Sequence, residues 1–214
     1  KKEKKWKHQI KFAKTYKYDL AFKKELLLLN EKNICFANKM DVPFGKIIAQ
    51  KVLQFIKENK IKKIDLISSH GHTVFHQPEK NFTLQIGCGQ TIADKTNQKT
   101  INNFRKQDVA LQGQGAPLVP VGDHYLFTEH DACINLGGFA NISYCKEKRR
   151  IAYDICPCNI VLNLVSNKKG IDYDKNGRLA KEGEIIKKLL DNLNDIAFYK
   201  APPPKSLGLE WVKK

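Results

Sequence analysis

Arginine is scarce in this chain. Only Arg105, Arg149, Arg150 and Arg178 stand among 38 basic residues. Nucleic-acid readers lean on the planar guanidinium fork, so a net charge of +16 carried mostly by scattered lysine does not predict a nucleic-acid partner. Long apolar runs are missing too. None approaches the roughly 18 residues that span a bilayer, so no membrane partner is expected. The lysine-rich opening, Lys1 to Lys24, has no continuous apolar core and does not read as a signal peptide. Six cysteines show neither paired framework spacing nor a C-x-x-C, which fits a reducing compartment and a cytoplasmic location. Methionine is nearly absent: the chain opens on Lys1, and Met40 stands alone. Unless the chain is processed, a longer product is therefore expected.

What is present has the patterning of an α/β protein. Asp19 to Leu29 carries apolar residues at helical spacing. Asp41 and Pro43 open a stronger helix, with Phe44, Ile47, Ile48, Val52, Phe55 and Ile56 on one stripe. Lys7 to Phe12, Ile61 to Ile67, Phe82 to Ile86 and Lys99 to Phe104 read as strands, and Thr91 to Thr96 as the end of a short helix. Gly113, Gly115, Pro117 and Pro120 punctuate an irregular segment that suggests a domain seam. Strands are predicted at Ala132 to Leu136 (its first three residues buried), Asn141 to Cys145 and Arg150 to Asp154, then helices at Pro157 to Val165 and Glu184 to Leu193. Pro202, Pro203 and Pro204 stiffen a linker. Alternating strands and helices argue for α/β architecture, while the paired strands after Leu136 argue against a purely parallel sheet.

Four segments carry candidate chemistry. In N-L-G-G-F-A-N, Gly137 and Gly138 leave main-chain N–H groups uncovered, so an anion such as phosphate can approach. Asp154 is predicted at a strand end, with Pro157 in the first turn of the next helix. A carboxylate there suits proton abstraction beside a phosphate; the alternative is a hairpin followed by a capping aspartate. In S-S-H-G-H-T-V, Gly71 permits a tight turn, and His70 and His72 are placed to hydrogen-bond a sugar or phosphate at a strand's carboxyl end. The same histidines with His76 and Asp65 also read as a metal site, although zinc needs three or four ligands of fixed geometry. Arg105 and Asp108 are three apart, which puts them on one face if the segment is helical. They read either as a surface ion pair worth about 0.3 kcal/mol or as cleft groups gripping hydroxyls or carboxylates. In C-P-C-N, a helix N-terminus would activate Cys156 or Cys158; the alternative is a packed turn.

Taken in order, S-H-G-H-T-V-F-H-Q-P, T-L-Q-I-G-C-G-Q-T-I-A, N-F-R-K-Q-D-V-A-L-Q-G-Q-G-A-P-L-V-P, N-L-G-G-F-A-N-I-S, Y-D-I-C-P-C-N and P-P-P-K-S-L-G-L-E resemble the anhydro-N-acetylmuramic acid kinase family. The resemblance runs from about Ser68 to Glu210. It implies the actin-like, ribonuclease H-like sugar-kinase fold: mixed sheets with helices, two lobes around a cleft. Residues 1–115 would form most of the N-terminal lobe and 116–214 the start of the C-terminal lobe. It also implies a bacterial kinase of peptidoglycan recycling that uses ATP and Mg²⁺, opens a 1,6-anhydro amino sugar with water and phosphorylates its 6-oxygen. Asp154 falls on the family's general base. Gly137, Gly138 and Asn141 fall on its second phosphate-side hairpin. His70, Gly71, His72, Thr73, Arg105 and Asp108 fall near the sugar. No protein side chain is implied as a dedicated metal ligand, and a homodimer stays open.

The chain departs from the family pattern in places. A glycine- and serine-rich first phosphate loop and the adenosine-holding remainder are not in the sequence, so the 214 residues alone are expected to be inactive. Cys156 and Cys158 stand where glycines are common, Asn103 and Cys88 where aspartates are, and Gln112 where glycine is. The alternative outside this family is a metal-dependent hydrolase built on His70, His72 and His76.

Overall fold

Asp19 starts the first helix because its Oδ1 accepts the Ala21 and Phe22 N–H groups, which the helix leaves without partners. The computed structural model describes residues 6–113, 115, 118–203 and 205–212. Gln114, Ala116, Pro117 and Pro204, used in the sequence reading, lie outside them. The chain divides into two units. One is His8–Leu118; the other begins at Val119 and includes Trp6 and Lys7.

The first unit opens with an extended segment and then α1 (Leu20–Leu28), α2 (Ile34–Lys39) and α3 (Asp41–Glu58). Asn33 caps α2 through Phe36 N–H at 2.9 Å. The predicted stripe of α3 is turned inward: Phe44 is buried and Ile47, Ile48, Val52, Phe55 and Ile56 are half-buried. β1 (Ile67–Ser68), β2 (His72–Gln77), β3 (Phe82–Ile86), α4 (Gly89–Thr96), β4 (Thr100–Ile101) and α5 (Phe104–Ala110) follow. β2 and β3 form an antiparallel hairpin, and β1 pairs β4 in parallel, with Ile67 opposite Thr100. The core consists of Leu26, Leu29, Ala37, Phe44, Val74 and Ile86, with Phe22, Met40, Phe75 and Leu84 packed against it. Each large apolar side chain fully buried there contributes about 1.5–3 kcal/mol.

The second unit begins with α6 (Val119–Leu126), whose Pro120 sits in the first turn where its missing N–H is harmless. A three-stranded antiparallel sheet follows, ordered β5 (Ala132–Leu136), β6 (Phe139–Lys146) and β7 (Arg149–Pro157). Glu147 (φ 50°) and Lys148 (φ 65°) both take left-handed conformations to close the β6–β7 hairpin, as a two-residue turn matched to strand twist requires. α7 (Asn159–Asn167), α8 (Arg178–Glu182), α9 (Lys187–Asn194), α10 (Ala197–Lys200) and α11 (Leu209–Val212) complete it.

The architecture is therefore mixed α/β with small sheets. Several expectations are corrected. Lys7 to Phe12 is no strand; it is exposed and joins no sheet ladder among the described residues. The strand predicted over Ile61 to Ile67 shrinks to Ile67–Ser68, and that over Lys99 to Phe104 to Thr100–Ile101. β5 is not buried: Ile134 is 61% and Leu136 67% exposed. β7 continues three residues past Asp154, so Pro157 closes a strand instead of opening a helix.

Candidate functional site

In the His8–Leu118 unit, the chain leaves β1 and turns sharply at Gly71. Its φ is +71°, and a Cβ there would collide with the Ile86 carbonyl oxygen, so only glycine fits. The turn presents His70 to α5. Arg105 Nε donates to His70 Nε2 at 3.0 Å, and His70 Nδ1 lies 3.1 Å from the Gly71 carbonyl. An arginine nitrogen can only donate, so Nε2 is the acceptor and Nδ1 carries the proton. Arg105 also donates through Nη1 to the Gly115 carbonyl at 2.6 Å. Asp108 Oδ2 accepts the Gly115 N–H at 2.6 Å. Arg105 and Asp108 are thus not the ion pair weighed from their spacing; they hold opposite ends of one buried glycine. Gly115 has φ +62°, and a Cβ there would press on Val109. Partial burial draws the Arg105 guanidinium below its ordinary pKa.

His72 and Thr73 are strand residues, not loop residues. The His72 ring meets Phe44 edge-on, with centroids 6.4 Å apart. Burial pulls its pKa below the usual imidazole value; the Leu26 carbonyl bond opposes this and His70 adds to it. Thr73 Oγ1 is buried without a hydrogen-bond partner among the described residues. These placements remove the metal-site alternative. His70 Nε2 is taken by Arg105, His76 Nδ1 lies 3.2 Å from Thr83 Oγ1, and Asp65 is an exposed partner of Lys63. Among the described residues no group of three His, Cys, Asp or Glu side chains is arranged to hold a metal ion. The metal-dependent hydrolase reading is therefore dropped.

The second unit brings Asp154, Asn141, Gly137 and Gly138 into one neighbourhood. Asn141 pairs Asp154 across β6 and β7, while Ala140 pairs Cys156, so Ile155 is the extra residue of a bulge beside the carboxylate. The Gly138 carbonyl accepts Cys158 N–H at 2.9 Å and Ile160 N–H at 3.1 Å; the Gly137 carbonyl accepts Asn159 N–H at 3.1 Å. The glycine turn thus caps the first turn of α7 with its carbonyls. Gly138 is crowded by nothing closer than Ile160 Cβ at 4.0 Å, so its own surroundings do not require glycine.

Asp154 is half-buried, and a distant segment holds it on two sides. Its N–H donates to the Lys205 carbonyl at 3.0 Å, and its Oδ2 accepts Leu207 N–H at 2.7 Å. Lys205 is fixed in turn: Nζ donates to the Phe198 carbonyl at 2.9 Å and lies 4.7 Å from the Phe198 ring centroid. The reactive-thiol reading of C-P-C-N gains no support, because burial pushes the Cys156 thiol up and Cys158 adds to the shift.

The sequence reading missed one cluster. Ser143 Oγ donates to Asp123 Oδ2, and Arg150 Nη2 donates to Ser143 Oγ at 2.8 Å and lies 3.8 Å from Asp123 Oδ2. This buried polar group ties α6 to β6 and β7. Asp123 and Arg150 are 27 residues apart with no local pattern to join them, so only Arg150 following a hairpin hinted at it.

The family model described as anhydro-N-acetylmuramic acid kinase matches residues 6–213. The chain is 37% identical to the anhydro-N-acetylmuramic acid kinase of Aliivibrio fischeri over 207 residues, covering 91% of this chain and 56% of that protein. It is 34% identical to that of a Sulfurovum species, covering 96% of this chain and 61% of the relative. With the Bacillus cereus protein of the same name the identity is 35%, covering 94% and 55%. The chain thus spans little more than half the length of the curated relatives it matches.

Proposed function

The chain belongs to the anhydro-N-acetylmuramic acid kinase family, and on that premise we propose that the whole protein opens 1,6-anhydro-N-acetylmuramic acid with water and phosphorylates its 6-oxygen. The observation that carries this reading is the grouping of Asp154, Asn141 and the Gly137–Gly138 turn within a chain matched along its length by the family. The fold proposed is the actin-like sugar-kinase fold, two lobes around a cleft. Residues 1–115 supply most of the first lobe and 116–214 the start of the second. The reaction belongs to peptidoglycan recycling and to the cytoplasm. A homodimer is compatible with it.

Asp154 is the proposed general base. With Oδ2 held by Leu207 N–H, Oδ1 takes the proton of the water that attacks the anomeric carbon. A base so placed contributes roughly 10²–10⁴-fold. Gly137 and Gly138 are proposed to receive the phosphate chain. Gly138 has room that a Cβ would fill, and this open backbone fits an approaching anion. Asn141 lies across from the base and orients groups beside it. ATP with Mg²⁺ would supply the phosphoryl group, the ion offsetting the charge of the phosphates. His70, Gly71, His72, Thr73, Arg105 and Asp108 shape the sugar-side wall. His70, Arg105 and Asp108 do so by fixing Gly115, since their polar atoms already engage one another and that residue.

ATP-dependent phosphorylation of the anhydro sugar, followed by mass spectrometry, tests the proposal. The gene's whole product is expected to give a 6-phosphate with one added water, and the 214 residues alone to give none. Phosphorylation of the intact anhydro sugar, or none by the whole product, overturns the reading.

A further inference from the structure

Among the described residues between Ala201 and α11 the chain forms no helix or strand, and Lys205 and Leu207 make its hydrogen bonds to the rest of the unit. Proline has no N–H, so Pro202 and Pro203 add no donor there. Lys205 acts through both its main chain and its side chain. Its carbonyl accepts the Asp154 N–H at 3.0 Å, and its Nζ donates to the carbonyls of Phe198 at 2.9 Å and Tyr199 at 3.4 Å. Both carbonyls belong to α10, and a cation is favoured where a helix ends in carbonyl oxygens. The ammonium also lies 4.7 Å from the Phe198 ring centroid and 5.9 Å from that of Tyr153, the residue before Asp154 on β7. The Trp211 ring of α11 meets Phe198 edge-on, with centroids 5.8 Å apart, so Phe198 links α10, Lys205 and α11.

The partners of this half-buried ammonium are neutral. Lys205 enters no ion pair among the described residues, although its own carbonyl is bonded to Asp154. Its charge is spent on carbonyls and ring faces and leaves the Asp154 carboxylate unneutralised. A buried charge is costly unless it is hydrogen-bonded, so the segment resists leaving α10. We infer that Lys205 is a positioning residue for the proposed general base. Its ammonium pins the segment to α10 and Tyr153, and the pinned segment keeps Leu207 N–H on Asp154 Oδ2, which aims Oδ1 at the water. Without the ammonium, the hydrogen bonds left to the segment are those to Asp154 itself, which move with the carboxylate instead of fixing it. This inference rests on the kinase reading above and adds to it the side chain that keeps the base in place.

Steady-state kinetics of the whole gene product with ATP and the anhydro sugar test it. Lys205→Met should lower kcat about tenfold to a hundredfold, as a displacement of about 1 Å near a reacting group does, and leave KM for both substrates unchanged. Lys205→Arg, which keeps the charge and its donors, should recover most of the rate. In the Asp154→Asn background Lys205→Met should cost nothing further, because the base it positions is gone. A role in folding alone would lower both backgrounds by the same factor. Circular dichroism checks that each variant folds, and Lys205→Gln carries the same test if Lys205→Met does not fold. The inference is overturned by a wild-type kcat in Lys205→Met, by equal losses in the two backgrounds, by Lys205→Arg as slow as Lys205→Met, or by a rise in KM with kcat unchanged. Each of these leaves the kinase reading standing as long as Asp154→Asn alone slows turnover. Wild-type turnover by Asp154→Asn overturns both.

Discussion

Asp154 and Leu207 are 53 positions apart, yet the Leu207 N–H points at Asp154 Oδ2 from 2.7 Å. The segment that supplies this donor also lends the Lys205 carbonyl to the Asp154 N–H. A carboxylate held this way commits one oxygen, and on the proposed reading the other takes the proton. The segment after α10 thus has a stated role: it sets the angle of the proposed base.

Replacing Asp154 by asparagine should slow turnover sharply without unfolding the chain. Asparagine retains an oxygen for Leu207 N–H but cannot accept a proton from water. In the whole gene product kcat should fall about 10²–10⁴-fold. Hydrogen exchange at the Leu207 amide should stay as slow as in the wild type. Unchanged turnover would remove Asp154 from the mechanism.

Gly138→Ala should leave the melting temperature nearly unaltered, because a Cβ there meets nothing closer than Ile160 Cβ at 4.0 Å. ATP affinity in the whole product should weaken by about tenfold or more, as an obstructed backbone approach costs a charge-assisted hydrogen bond. A large loss of stability with intact ATP binding would mean that the glycine serves packing.

Gly115→Ala should destabilise the His8–Leu118 unit by about 1–3 kcal/mol, from left-handed strain and collision with Val109. Asp108→Ala should act on the same element by leaving the buried Gly115 N–H unsatisfied, at a cost of about 1–3 kcal/mol. The two changes share one contact, so a double variant should lose less than their sum. Urea unfolding of the four proteins measures this.

The extended segment near Tyr16 should detach at both extremes of pH. Hydrogen bonds from Lys14, Tyr16 and Gln54 lower the Glu58 pKa from 4.5 to about 2. Its contribution is fully present above 4.5 and is lost as pH falls through about 2. Desolvation of Tyr16 and its bond to Glu58 raise that pKa from 10.0 to about 12. Its contribution is full below 10.0 and is lost as pH rises through about 12. Melting temperature against pH should show a plateau between these windows, and Glu58→Gln should flatten the acid limb.

Asp123→Ala should cost about 3–5 kcal/mol, because it strands the Arg150 charge at a site where that side chain is only 14% exposed. Arg150 Nε already lacks a partner among the described residues, so the cluster has little spare bonding to absorb the loss. Asp123→Ala paired with Arg150→Met should recover much of the stability in the same unfolding assay.

Elements with a strong period were legible in the sequence. The apolar stripe of α3 announced itself because burial enforces spacing, and β6 and β7 read as strands because short runs rich in apolar residues follow the glycine turn. Lys7 to Phe12 alternates only at Ile10 and Phe12, and among the described residues no strand pairs with it, so the short pattern makes no sheet. α2 and α6 were missed: the first is six residues long, and the second contains Pro120 and Gly122, which read as punctuation. In the site, Asp154, Asn141 and the glycine pair were legible because they lie within one stretch of chain. Local spacing could not show that Arg105 and Asp108 both turn to Gly115, or that Leu207 returns to Asp154. Contacts of that separation leave no trace in a short window.

Among the described residues β5 stands at the border of its sheet, with Ile134 and Leu136 exposed and one rank of main-chain groups unmatched by a neighbouring strand. A border of that kind recruits whatever extended peptide it meets. Concentrated samples should consequently form cross-strand clumps in storage, and a lysine in place of Ile134 is the simplest way to keep them clear.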